Sequence, residues 1–320
     1  MMRSLLVAAL ALAIMAAERI PWRTARPADS VAKASAVSET WDLRAVEPNG
    51  RRAIVVRFWT KDNPYYIEWL WYARGRGVAS YTERVELAQH TGPGVSMKEP
   101  FGHGSTRRSG SRWLLDAYGS TSRSRARLVL HAVRPGLTVG PLPASRGRSA
   151  WLSIVATGLV DGVVETPNGT MRLRRWYGAH VHEWATYHHH ETQAYVRRDL
   201  ALVWRSARDV RLVWGLEPFR TPKQTHTPDD SIWRGISARL GARWSVCPAR
   251  VRRAGLKRGA LTYAQPTTRL TARCRGSTLA LHHPDGKIGG TPWIFSQTFT
   301  GLATSRMGGV GFLEQTIPDT

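Results

Sequence analysis

Thr40-Trp41-Asp42-Leu43-Arg44-Ala45-Val46, then Asn49-Gly50, then Arg52-Ala53-Ile54-Val55-Val56-Arg57-Phe58-Trp59 reads as two β-strands joined by a tight turn. Asn and Gly both accept positive φ, which a two-residue hairpin loop requires. In the second segment Ile54, Val56 and Phe58 fall on one face, the period-2 signature of a half-buried strand. The next segment continues it. Tyr65, Ile67, Trp69 and Trp71 share one face, and Tyr66, Glu68, Leu70 and Tyr72 the other.

Outward from this core the same pattern recurs. Strands are expected at Trp113–Tyr118 and Arg127–Val133, and as a pair over Trp151–Trp184 around the turn Pro167-Asn168-Gly169. Further strands are expected at Tyr195–Trp204, Val210–Trp214, Ser237–Val246, Thr268–Cys274, Thr278–His282 and Phe295–Thr304. Thr91–Ser111, rich in Gly, Ser and charge, reads as a long loop or lid, and Arg134–Arg148 as a second loop. No stretch beyond the leader holds helical periodicity. The pattern is all-β with up-and-down hairpins, for which antiparallel barrels are the natural closure.

The chain has 320 residues, with 46 Lys and Arg against 23 Asp and Glu, a net charge of +23, and 14 tryptophans. The length suits two domains. The basic residues are scattered as singles and pairs such as Arg51-Arg52 and Arg174-Arg175, with no basic helical stripe, so nucleic-acid binding is not expected. Contact with a membrane surface or with anionic polymers stays open. Arg3 followed by the apolar run Leu5–Ala17 has the form of an export signal, which places the protein in the periplasm, the envelope or the medium. Residues 1–36 are read as leader, 37–195 as a first domain and 196–320 as a second. Cys247 and Cys274 suit either one disulfide in an oxidising compartment or two buried thiols.

Common catalytic signatures are missing. There is no Gly-x-Ser-x-Gly elbow and no Walker loop. His182-Glu183 begins a zinc-protease motif, but the fifth position is Thr186. His180 and His182 share a strand face in a histidine-rich segment with His188, His189 and His190. That pair could chelate, but a solvated polar cluster is the plainer reading and no metal is expected.

Three segments, in order, resemble a known superfamily: Glu39–Phe58, Gly162–Trp184 and Gly309–Thr316. They are similar to the carotenoid 1,2-hydratases (hydroxyneurosporene synthases) and AttH-like lipocalin proteins. The resemblance implies two lipocalin-like β-barrel domains packed together, an apolar pocket and no cofactor. A mid-chain family motif of the form Asp-His-x-Trp-Gly stands here as Val181-His182-Glu183-Trp184-Ala185. By that likeness His182 donates or orients a proton and Trp184 faces ligand or a developing cation. Where the family has a Tyr-x-Asp pair, this chain has Ala207-Arg208-Asp209, which leaves Asp209 as the candidate acid without its tyrosine. Trp69, Trp71, Trp176, His180 and Glu314 are candidate ligand contacts, each with an ordinary core role as the alternative. The resulting readings are a carrier of an isoprenoid or lipid, an acid-dependent hydratase or cyclase, and a basic envelope protein binding anionic polymers.

Overall fold

The computed structural model describes residues 20–60, 65–85, 88–89, 93–98, 102–143, 148–187, 196–218, 231–240, 243–254, 269–274, 277–282, 289–293, 296–305 and 308–318. Among them the regular structure is strand, apart from one 3-10 turn at Pro27–Ser30. The first sheet comprises β1 (Trp22–Thr24), β2 (Ser38–Val46), β3 (Arg52–Thr60), β4 (Tyr65–Ala73), β5 (Gly77–Val85), β6 (Ala88–Gln89), β7 (Gly94–Lys98), β8 (Gly102–Ser109), β9 (Arg112–Gly119), β10 (Ser124–Pro143), β11 (Ser149–Thr166) and β12 (Gly169–Ala185). The second comprises β13 (Val196–Ser206), β14 (Asp209–Pro218), β15 (Ser231–Leu240), β16 (Trp244–Ala254), β17 (Arg269–Cys274), β18 (Ser277–His282), β19 (Gly289–Trp293), β20 (Ser296–Ser305) and β21 (Val310–Pro318).

The first sheet runs β5-β4-β3-β2-β12-β11-β10-β9-β8-β7-β6, antiparallel throughout, and curls into a nearly closed barrel. Edge strand β5 comes back onto the sheet where Glu83 accepts a hydrogen bond from the backbone N–H of Ser122, in the turn between β9 and β10, at 2.9 Å. The second runs β18-β17-β16-β15-β14-β13-β21-β20-β19 and returns on itself through a β18–β20 pairing. All-β lipocalin-like architecture is therefore what the chain adopts.

Strand alternation sorts side chains into separate cores. Trp41, Leu43, Ile54, Val56, Phe58, Ile67 and Trp69 fill the first barrel. Val46, Val55, Leu70 and Tyr72 point the other way, onto Leu200, Leu202, Trp204, Trp214 and Phe312 of the second sheet. Ala201, Val203, Val213 and Leu313 face the far side of that second sheet.

Three expectations need correction. The segment read as a loop at Thr91–Ser111 contains β7 and β8. A Cβ on Gly104 would stand 2.2 Å from Phe58 Cε1, so this glycine serves close packing, not a turn. Arg134–Arg148 was likewise read as a loop, but β10 runs unbroken to Pro143. Residues 20–36, assigned to the leader, are built into the first barrel: β1 pairs with β10, and the Pro27–Ser30 turn sits over the barrel interior. Residues 1–19 lie outside the described residues, as do His188, His189 and His190.

Candidate functional site

A bulge decides which face of β12 looks into the barrel. Val160 pairs with Trp176 and Gly162 with Leu173, so Arg174 and Arg175 oppose the single residue Asp161. Arg175 takes φ 52°, and its N–H donates to Asp161 Oδ1 at 2.8 Å. The extra residue reverses parity. Met171 and Leu173 point inward before it; Trp176, His180, His182 and Trp184 point inward after it. Val181 and Glu183 face the second sheet.

His182 is wholly buried. Its ring stacks on Trp41 at 4.5 Å and 10°, and meets Trp184 at 4.8 Å. Nδ1 lies against the backbone carbonyl of Asp29, which can only accept, so Nδ1 carries a hydrogen. Nε2 lies 2.8 Å from Glu39 Oε1. That second bond needs a proton of its own, because a bare Nε2 and a carboxylate are both acceptors. Such a bond is made either by an imidazolium donating to a carboxylate or by a carboxylic acid donating to a neutral imidazole. Glu39 Oε1 also accepts from the Lys33 N–H at 2.7 Å. The Lys33 ammonium stands 5.1 Å from the Trp184 ring centroid, and burial lowers its pKa.

His180 is arranged differently. Its Nδ1 donates to the Asp42 carbonyl at 3.2 Å, and its Nε2 accepts from the Ser30 hydroxyl at 2.9 Å. Both bonds are met by a neutral ring, and burial pushes its pKa down to about 3. Trp113 packs beside it at 4.3 Å. The Pro27–Ser30 turn thus touches both histidines. It is anchored by Asp29, whose carboxylate pairs with Arg23, accepts from Thr138 Oγ1 at 2.9 Å and from the Arg26 N–H at 2.6 Å. Burial opposes that charge, but these donors hold the carboxyl below its ordinary value.

The opposite face of the same strands carries a buried charge cluster between the sheets. Asp42 pairs with Arg44 and Arg57. Glu314 pairs with Arg57 and Arg198, and Arg198 also with Glu183. Burial disfavours the Glu314 charge, yet Arg44, Arg57 and Arg198 hold its carboxyl well below the usual range. Glu314 is thus a tie between the sheets on the face away from His182, and the structure gives it no place in the barrel interior.

Asp209 does not join His182. It lies at the start of β14 and pairs with Arg239 at 3.1 Å and Arg205 at 3.8 Å. This corrects its reading as a catalytic acid; the acid beside His182 is Glu39. Sequence reasoning missed Glu39 because the contact depends on the β2–β12 register, Trp41 opposite His182 and Glu39 opposite Trp184. Trp69 and Trp176 are buried in the first barrel, while Trp71 is partly exposed at its other end. Among the described residues no group of three or more His, Cys, Asp and Glu side chains gathers as a metal site. Cys247 is disulfide-bonded, and the chain's other cysteine is Cys274.

Among solved structures, CghA matches with a TM-score of 0.57 at 13% identity, covering 94% of this chain and 98% of its own. An AttH-type protein from Nitrosomonas europaea matches with 0.56 at 11%, covering 91% and 95%. Kievitone hydratase from Nectria haematococca matches with 0.50 at 10%, covering 92% and 96%. The chain shares the fold of these three structures. At these identities the likeness concerns the fold alone. No family model and no curated protein matches the sequence.

Proposed function

We propose that this lipocalin-like chain takes up an apolar ligand of isoprenoid or lipid type and that the His182–Glu39 pair donates a proton to it, without a cofactor. The observation that carries this reading is the 2.8 Å contact between His182 Nε2 and Glu39 Oε1, two wholly buried groups walled by Trp41 and Trp184. Such a pair is an acid kept from water, which suits protonation of an alkene carbon. The cation left on the neighbouring carbon faces indole rings, which stabilise positive charge. Capture by water, with its proton returned to the pair, gives a hydrate; capture by a second double bond closes a ring and moves the cation to a new carbon, whose neighbour then returns a proton to the pair, leaving an isomer of the substrate. A substrate must displace the Pro27–Ser30 turn to meet the pair, since His182 is covered.

A second reading, carriage of the ligand without chemistry, is favoured by the engagement of both His182 ring nitrogens in hydrogen bonds. Export belongs to the same proposal: the disulfide at Cys247 supports an oxidising compartment. Glu39→Gln and His182→Gln separate the two readings. On the catalytic reading each lowers turnover of an isoprenoid alkene by about 10²–10⁴-fold, the usual worth of a general acid, while ligand affinity measured by equilibrium dialysis changes little. Equal loss of turnover and affinity assigns the pair a structural role.

A further inference from the structure

Residues 23–33 form a strap that reaches both members of the acid pair. Its 3-10 turn sets the Asp29 carbonyl on His182 Nδ1. Further along, the Lys33 N–H donates to Glu39 Oε1 at 2.7 Å. Between them the Ser30 carbonyl accepts from Trp41 Nε1 at 2.9 Å, which holds the indole that stacks on His182.

These contacts bear on where the proton lies. The oxygen beside Nε2 is the same Oε1 that accepts from Lys33. Were Glu39 the acid, the Lys33 N–H would meet a hydroxyl oxygen, a poorer acceptor than an ionised carboxylate. On the other side, an N–H of a charged ring bonds the Asp29 carbonyl more strongly than one of a neutral ring. Trp41 and Trp184 lie against the ring at 4.5 and 4.8 Å, and indoles favour a cation. All these contacts favour imidazolium–carboxylate. Buried ions are costly unless further hydrogen bonds meet them, and the strap supplies one to each. His180 is the contrast: the same turn gives its Nε2 a hydroxyl that can donate, which a neutral ring accepts.

We infer that the strap holds the proton on His182 and that lifting the strap releases it, with Asp29 as the positioning residue. The Asp29 carboxylate is pinned by Arg23, by Thr138 Oγ1 and by the Arg26 N–H, which fixes the carbonyl that faces Nδ1. Thr138 donates to that carboxylate, so Ser153 Oγ, 2.9 Å away, donates to Thr138. Ser153 stands directly opposite His182 in the β11–β12 register, so the anchor is tied to the strand beside the site. A substrate that displaces the turn takes a support from each ion, and the pair is then better off neutral. The π pair of the alkene takes the proton, and the Nε2–H bonding pair stays on a neutral imidazole. Proton release thereby follows substrate entry. That consequence rests on the acid role proposed above, whereas the charge on His182 is read without turnover.

Nitrogen-15 NMR of the histidine-labelled full chain in neutral buffer tests it, with His182 assigned by the signals lost in His182→Gln. The parent is expected to show both His182 nitrogens protonated, beside a His180 with one bare nitrogen. In Asp29→Ala the proton is expected to leave Nε2, to Glu39 or to water, so that its signal shifts to that of a bare nitrogen. Arg23→Gln, at the half-exposed end of the anchor, should shift it the same way and decides the matter if Asp29→Ala does not fold. A bare Nε2 in the parent overturns the inference, yet leaves Glu39 as the donor of the proposed reaction. An unshifted His182 in folded Asp29→Ala, or in Arg23→Gln where the alanine variant fails to fold, overturns it too. The expected shifts in a parent that turns over no isoprenoid alkene would uphold the strap's hold on the proton and remove the acid role.

Discussion

His180 and His182 are two residues apart on one strand face, and their hydrogen bonds give them different chemistry. His180 donates to one carbonyl and accepts from one hydroxyl, so it is content neutral. Because its folded pKa is about 3 against an ordinary 6.5, the unfolded chain binds the proton first. Stability contributed by keeping this ring neutral is therefore full above pH 6.5 and falls as pH drops towards 3, by up to about 1.4 kcal/mol per unit. The depressed carboxylates Asp29, Asp42 and Glu314 act lower, because their stabilisation is lost only as pH falls below their ordinary values near 4. Urea unfolding between pH 6.5 and 4.5 should thus show a loss that His180→Asn removes. An unchanged pH slope in that variant would show that His180 is not its source. The presence of His182 and Trp184 on one face was legible from alternation alone. Their partners were not, since Glu39 and the Asp29 carbonyl arrive from 143 and 153 residues away.

At the scale of elements, the β12 bulge places the site. Arg175 pays for a left-handed backbone that glycine would adopt freely. Arg175→Gly is expected to raise stability by about 1 kcal/mol, and deletion of Arg175 to abolish cooperative unfolding, both read by urea denaturation. Deletion would turn His180, His182 and Trp184 toward the second sheet and bring Val181 and Glu183 into the barrel. A deletion variant that unfolds like the parent would contradict this account of parity. The strands β2, β3 and β4 were readable because their alternation is strict and local. The bulge was not, because Arg174-Arg175 looks like any surface pair until β11 is laid beside it. Strand β8 was hidden for another reason: its glycines signal a loop by composition, whereas Gly104 is small to admit Phe58 and Ile67.

At the scale of the whole molecule, one set of strands serves both sides. Inward, β2 and β12 present Glu39, Trp41, His182 and Trp184. Outward, the same strands and β3 present Asp42, Arg44, Arg57 and Glu183 to Arg198 and Glu314 of the second sheet. Removing one member of such a buried cluster leaves charge unpaired, which makes it a costly joint to alter. The cluster thus fixes the face whose reverse side carries the acid pair. The lipocalin-like fold was legible from hairpin spacing and from the three ordered segments. The charge cluster was not, because it joins residues from β2 to β21.

The most direct test is mass spectrometry of small molecules recovered from the full chain after incubation with an isoprenoid-rich lipid extract, beside His182→Gln treated identically. A species heavier than its precursor by one water, about 18 Da by the stoichiometry of hydration, or an isomer of shifted retention, formed by the parent and not by the variant, is the predicted result. An apolar species recovered unaltered from both proteins would contradict proton transfer by His182 and Glu39 and leave ligand carriage as the function.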